Sequence, residues 1–244
     1  MKHIPNFITC LNVISGTLAI FSVFNNQINY AVIFIILAMV FDFFDGFTAR
    51  LLKAYSELGK ELDSLADIVS FGVAPSFMAY HLILNTLPGA ELTFWSSWNF
   101  GMKAMLFSPL LIPAFSALRL AKFNLDTRQT SSFIGMPTPA LAIFWATLLI
   151  GREQGFYLYN LFFSNPYTLG FSVIILSLLL VSELGMFSLK VKNLSFRDNK
   201  ILYLFFITLI ILTLIVGKEI ILFIIPIYIL FSIIKTIIYI KKEH

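Results

Sequence analysis

The chain is expected to fold as an all-α polytopic membrane protein. Two observations predict this. Of its 244 residues, 59% are hydrophobic and only 12% are charged, whereas soluble domains carry about 25% charged residues. Apolar runs long enough to cross a bilayer also recur along the whole length. In hydrocarbon, an open-ended segment satisfies its backbone only as a helix, so each run is read as helical. No soluble domain of useful size is left over, and a single membrane domain over 1–244 is the simplest partition. The single cysteine, Cys10, excludes an internal disulfide.

About eight hydrophobic segments can be drawn: 7–24, 29–52, 61–85, 103–122, 135–151, 167–189, 200–216 and 219–240. The first has no signal-peptide cleavage pattern and is expected to be a retained span. Pro5 and Asn6 suit its start; Asn6 and Thr9, three residues apart, either cap the helix or face a cavity. The third carries His81 near its outer end, four turns from the nearest aspartate and too far for a shared metal, so a satisfied interfacial role is expected. Segment 85–102, with Pro88, Gly89, Trp95 and Trp98, reads as an outer loop with an interfacial aromatic anchor. The fourth segment ends in Arg119-Leu-Ala-Lys122-Phe-Asn124. Lys122 can snorkel to lipid phosphates, whereas Arg119, deeper among apolar residues, needs an anionic partner such as a carboxylate or phosphate. Ahead of the fifth, Gly135, Pro137 and Pro139 make a stiff, non-helical lead-in, either a plain helix start or a lid. Glu183 near the end of the sixth receives no assignment. Gly217-Lys218-Glu219 joins the last two as a turn or a kink.

Charge orients these segments. Fourteen of the 17 Lys and Arg residues fall on one side, leaving only Lys103, Arg152 and Lys218 on the other. The positive-inside rule then puts both termini in the cytoplasm and favours an even number of spans.

The stretch from Asp42 to Asp67 carries the chemistry. Asp42, Asp45, Gly46 and Ala49 recur at i, i+3, i+4 and i+7, and Gly59, Asp63 and Asp67 at i, i+4 and i+8. Each set lies along one helix face. The first closes the second segment and the second opens the third, so a short connection brings the faces together at one boundary. A polar cavity opening to the cytoplasmic side is expected there. Four carboxylates so gathered cannot all stay ionised without cations between them. Hard oxygen ligands suit Mg²⁺ or Mn²⁺, and Ca²⁺ fits the same donors. Two such ions about 4 Å apart clamp a phosphoryl group for in-line displacement. The bland alternative is a salt-bridge network of the aspartates with Arg50, Lys53 and Lys60.

The string Asp-x-x-Asp-Gly-x-x-Ala-Arg, eight residues, Gly-x-x-x-Asp-x-x-x-Asp resembles the signature of the CDP-alcohol phosphotransferase family. The resemblance implies that Asp42, Asp45, Asp63 and Asp67 hold a metal pair and that Asp67 is the general base. It implies that Asp45, Gly46, Ala49, Arg50 and Gly59 meet CDP-diacylglycerol, and that Asn6 and Thr9, which match a Pro-Asn-x-x-Thr start seen in many members, do so too. Residues 119–124 and 133–140 are similar to runs of the phosphatidylserine synthases of that family. The implied substrates are CDP-diacylglycerol and L-serine, in the cell membrane, with no nucleic acid and with a homodimer. Arg119 is the implied contact for the serine carboxylate, with Lys122 and Arg128 as weaker candidates. Lys122 stands where an Arg is commoner, which keeps a point charge but loses a bidentate fork. Glycerol 3-phosphate, inositol phosphate or choline stays open as acceptor. A divalent-cation transporter is the reading from another class, although no second copy of the motif is visible and the carboxylates sit at one boundary.

Overall fold

A computed structural model of the chain describes residues 3–87, 98–126, 133–187 and 199–243. Its regular structure is helical apart from one pair of two-residue strands. Among the described residues, five stretches are long and apolar enough to cross a bilayer: His3–Phe24, Ile28–Leu51, Glu57–Leu84, Phe100–Leu125 and Lys200–Ile237.

Helices α1 (His3–Phe24) and α2 (Ile28–Leu51) form an antiparallel pair. Asn26 turns the chain between them at φ 56°, a left-handed conformation that Asn tolerates. The third stretch is composite. Helix α3 (Glu57–Asp67) passes into a π-helical turn over Ile68–Val73 and then into α4 (Ala74–Leu84). The π turn is gripped from both sides. A Cβ on Gly16 of α1 would stand 2.7 Å from Ser70 Cα, and one on Gly72 would stand 3.1 Å from Ser116 Cβ. The Ser70 hydroxyl donates to the Asn12 carbonyl at 3.0 Å. The fourth stretch is also composite, with α5 (Phe100–Phe107), a 3₁₀ turn at Ser108–Leu110 and α6 (Leu111–Leu125). Pro109 sits in that turn, where it has no N–H to give the ladder.

Helices α7 (Thr138–Glu153), α8 (Tyr157–Phe162) and α9 (Pro166–Val181) follow. At 16 residues, α7 and α9 fall short of the ~20 residues that span hydrocarbon. The core runs where α4 packs on α1, α7 and α9, around Phe71, Met78, Leu141 and Trp145, all fully buried.

The last stretch is not one rod. The Phe205 ring of α10 (Lys200–Val216) lies 5.8 Å from the Phe231 ring of α11 (Ile224–Glu243), whereas 26 residues of straight helix would separate them by about 39 Å. The chain folds back at Gly217, whose φ of 66° favours glycine. The Glu219 carboxylate then accepts the N–H groups of Tyr157 and Leu158 at 3.1 and 2.8 Å, which satisfies orphan donors at the start of α8. Lys218 donates to the Gln154 side chain at 3.0 Å. These bonds pin the turn onto the α7–α8 corner.

Four expectations are corrected. The sixth segment was drawn to 189, but α9 ends at Val181 and Gly185–Met186 form strand β2, antiparallel to β1 (Phe133–Ile134). Apolar content alone does not separate a short strand from a helix end. The 133–137 lead-in is pinned rather than a lid: Gly135 and Met136 donate their N–H groups to Leu184 and Leu179 carbonyls, both at 2.9 Å. Trp98 is 4% exposed and belongs to the core, not to an interfacial anchor. The His81 Nε2 is buried with no partner among the described residues, so that histidine is not satisfied. Trp95, Arg128, Ser131 and Ser132 lie outside the described residues.

Gly135 combines φ 76° with a carbonyl, that of Leu180, only 2.5 Å from where a Cβ would sit. Gly135→Ala is therefore expected to cost about 2 kcal/mol or more. Thermal unfolding in detergent, followed by circular dichroism, should show a drop of several degrees; an unchanged Tm would remove this account of the β1–β2 clasp.

Candidate active site

The second half of α2 separates its faces cleanly. Asp45 is buried and Asp42, Gly46 and Ala49 are half-buried, while Phe43, Phe44 and Phe47 point outward. The helix closes where Ala54 N–H donates to the Ala49 carbonyl at 2.9 Å, with Lys53 in the left-handed region at φ 49°. Ser56 then caps α3 by accepting the Gly59 N–H at 3.0 Å. This short link returns α3 against α2 with the acidic faces opposed. One carboxylate oxygen from each of Asp42, Asp63 and Asp67 lies within 4.8 Å of the others. The Asp42 and Asp67 carboxyls are close neighbours within this trio. Asp45 stands outside that trio, on the cavity side, with Thr9 beside it.

The cation that answers these acids is Arg119 of α6, within Coulombic reach of Asp42 and Asp67. Arg50 and Lys53 are exposed, and Lys60 donates to the Asn124 carbonyl at 3.3 Å. The acids therefore do not face the basic trio of a simple surface network. The Asn124 amide also donates to Ser64 Oγ at 2.9 Å. These two bonds tie the end of α6 to α3 and so hold Arg119 at its depth.

A cavity of about 600 Å³ opens beside the cluster. Its wall includes Asn6, Thr9, Asp45, Gly46, Ala49, Gly59 and Asp63. A Cβ on Gly46 would meet no protein atom within 4 Å, so any side chain there would project into free space. Gly59 is tight instead, 3.1 Å from Asn6 Oδ1 to a built Cβ. Arg50 is exposed and is not on this wall. Tyr55 and Lys60 are on it. Tyr55 falls among the eight residues between the two halves of the motif, which have no periodic constraint, and Lys60 enters the sequence reading only as a salt-bridge candidate.

A second cavity, of about 310 Å³, is lined by Arg119 and Lys122. Arg119 is 7% exposed; its Nη1 donates to Thr138 Oγ1 at 3.4 Å, and its enclosed Nε has no partner among the described residues. Lys122 donates to the Val181 carbonyl at 3.4 Å, at the end of α9. Thr138 was missed in the sequence, where it reads only as a helix start between two prolines.

The donor set fits divalent cations. Asp42, Asp63 and Asp67 offer hard oxygens at mutually close range. Asp45 Oδ2 and Asp67 Oδ1 are buried with no hydrogen-bond partner, which is costly for a carboxylate unless a cation meets it. At about 100 times Kd, Mn²⁺ should stabilise the protein by about 2.7 kcal/mol. Asp63→Asn is expected to lose most of that gain, yet to melt above the unsubstituted protein in chelator, because one crowded charge is gone. Differential scanning calorimetry with and without Mn²⁺ reads both; an equal Mn²⁺ shift in the two proteins would take Asp63 out of the metal set.

A family model described as CDP-alcohol phosphatidyltransferase matches residues 2–182. The chain is 45% identical over 139 residues to a CDP-diacylglycerol–serine O-phosphatidyltransferase of Bacillus subtilis (strain 168), covering 57% of this chain and 71% of that one. It is 34% identical over 181 residues to the protein of that name in Methanocaldococcus jannaschii, covering 74% and 72%. It is 30% identical over 183 residues to an archaetidylserine synthase of Methanothermobacter thermautotrophicus, covering 74% and 68%. Together with the apolar helices, these likenesses make it an integral membrane protein. The chain belongs to the CDP-alcohol phosphatidyltransferase family.

Proposed function

We propose that this protein transfers the phosphatidyl group of CDP-diacylglycerol to the hydroxyl of L-serine, giving phosphatidylserine and CMP. The observation that carries the reading is the opposed acidic faces of α2 and α3 beside a cavity walled by the small residues of the same motif. The activity named for the Bacillus subtilis and Methanocaldococcus jannaschii relatives supports serine as acceptor. So does a buried arginine with an unmet Nε.

In this reading the 600 Å³ cavity takes the cytidine diphosphate, with open space at Gly46 for the pyrophosphate and Asn6, Thr9, Ala49, Gly59 and Tyr55 around it. Arg50, exposed, meets the donor only at the cavity mouth. Asp42, Asp45, Asp63 and Asp67 hold two divalent cations, Mg²⁺ or Mn²⁺, with Ca²⁺ able to occupy the same donors. When bound, such a pair neutralises the pyrophosphate and stabilises charge on the attacking and leaving oxygens. Asp67 takes the proton of the serine hydroxyl. The serine oxygen bonds to the phosphorus that carries diacylglycerol, and the bond from that phosphorus to the bridging pyrophosphate oxygen breaks. Arg119 holds the serine carboxylate, and Lys122 and Arg128 add positive potential. The whole chain acts as one catalytic domain with about eight spans and cytoplasmic termini, which puts the site at the inner boundary, where a lipid tail and a soluble head meet. It works as a homodimer, on family resemblance alone.

Two measurements test this. Purified protein with Mg²⁺ or Mn²⁺ should release CMP from CDP-diacylglycerol only when serine is added. Release with glycerol 3-phosphate and none with serine would move the acceptor, and metal flux into liposomes without CMP release would favour transport. Gly46→Leu should raise KM for CDP-diacylglycerol at least about tenfold, since its side chain occupies the donor space (~1.4 kcal/mol per decade), with Tm unchanged. An unaltered KM would mean that the donor lies elsewhere.

A further inference from the structure

The family match ends at residue 182, and strand β2 and helices α10 and α11 lie past it. A pair of two-residue strands is marginal by itself, and β2 has a second edge whose carbonyls need donors. The Leu184 carbonyl takes the Gly135 N–H at 2.9 Å and so faces β1. Alternate residues of an extended chain turn their carbonyls to opposite edges, which aims those of Gly185 and Phe187 away from β1. Both are met from α11. The Tyr228 hydroxyl donates to the Phe187 carbonyl at 2.9 Å, and the Thr236 hydroxyl to the Gly185 carbonyl at 3.3 Å. Tyr228, Ser232 and Thr236 recur at i, i+4 and i+8, so one helix face presents a stripe of hydroxyls to the strand. Packing fixes the same place. The Phe187 ring lies 4.7 Å from the Tyr228 ring and 5.5 Å from the Phe205 ring of α10.

Strand β2 passes this placement inward. It pairs with β1, Gly185 opposite Ile134 and Met186 opposite Phe133. Gly135 and Met136 then bond to the Leu184 and Leu179 carbonyls, and Thr138 opens α7 two residues later. The Thr138 hydroxyl accepts from Arg119 Nη1 at 3.4 Å. Neither Tyr228 nor Thr236 is on the wall of either cavity, so each can reach the site only through the strand. We infer that the C-terminal hairpin is a positioning device for Arg119: Tyr228 and Thr236 fix β2, the clasp fixes the start of α7, and Thr138 there fixes the guanidinium. The inference rests on the serine reading above. It adds to that reading two positioning residues, outside the family match, on which acceptor affinity depends.

The test uses the full chain in lipid–detergent micelles with CDP-diacylglycerol, Mn²⁺ and L-serine, well below the Tm of every variant. Tyr228→Phe keeps the ring and removes only the hydroxyl. It should raise KM for serine roughly fivefold, the ratio that one ordinary hydrogen bond is worth. KM for CDP-diacylglycerol and kcat at saturating serine should stay unchanged, the pattern of lost ground-state binding. Thr236→Val should act in the same direction, while Thr236→Ser, which keeps the hydroxyl, should retain the original KM. Glu219→Gln loosens the hairpin at its other end, where the carboxylate caps α8. It should lower Tm and leave the serine KM alone. Hydrogen exchange at the Gly135 and Met136 amides should be faster in Tyr228→Phe than in Glu219→Gln. A serine-active protein in which Tyr228→Phe and Thr236→Val both keep the serine KM would overturn this inference and leave the serine reading intact. So would a Glu219→Gln variant whose serine KM rises as much as theirs, since general loosening would then explain the effect. No CMP release with serine at all would overturn both.

Discussion

Like charges crowded into an apolar bundle are the constraint on which the rest of this structure depends. Three carboxylates within 4.8 Å of one another repel strongly wherever water is scarce. Such a cluster persists only if the backbone that presents it is held rigidly and positive charge is brought to it. The backbone is held at the π turn directly after Asp67, where Gly16 and Gly72 let α1 and α6 come close enough to clamp it. Single π turns inside α-helices often mark functional sites. Here the turn stands between the acidic α3 and the mostly apolar, uncharged start of α4, so one continuous stretch serves both a polar site and the core.

Positive charge comes from one buried side chain, and the elements around it are arranged to hold it. Arg119 is positioned by bonds at several levels of α6: Asn124 to Ser64, Lys60 to the Asn124 carbonyl, Lys122 to the end of α9, and the guanidinium itself to Thr138. The β1–β2 pairing brings Thr138 there, because the chain must leave Ile134 extended and turn sharply at Gly135 to start α7 beneath the arginine. The Arg-Leu-Ala-Lys-Phe-Asn run thus has a structural meaning beyond its first residue. Its Asn is the tether, its Phe the ring beneath the guanidinium, and its Lys the strap to α9.

Much of this was legible in the residues, for identifiable reasons. Spacing of three and four placed Asp42, Asp45, Gly46 and Ala49 on one face, and the buried and exposed residues of α2 fall as that spacing requires. Asn6 and Thr9 were readable as cavity-facing, and both reach the cavity wall. What escaped was set by tertiary contact. Nothing local distinguishes Gly185–Met186 from a continuing helix until Phe133–Ile134 lies beside it. Trp98 looks interfacial by type and loop position, yet packing buries it. Arg50 closes the motif in sequence but sits on the outer side of its helix, one position past the inward face that Ala49 completes. Tyr55 reaches the cavity from the link between α2 and α3, which no periodicity encodes, whereas Lys60 reaches it from α3, three residues before Asp63.

The division of space by Arg119 follows from these contacts and carries the functional argument furthest. Its charge reaches the aspartates, and the same residue lines the smaller cavity while its enclosed Nε has no partner among the described residues. Burying an arginine costs several kcal/mol unless all of its donors are met, so an acceptor carboxylate that reached this guanidinium would offset part of that cost. Acceptor binding and alignment would then be one event, and an alcohol without an anion would gain neither. The same arginine also lowers the repulsion among the aspartates, so metal binding and acceptor binding should be felt by one another through a single side chain.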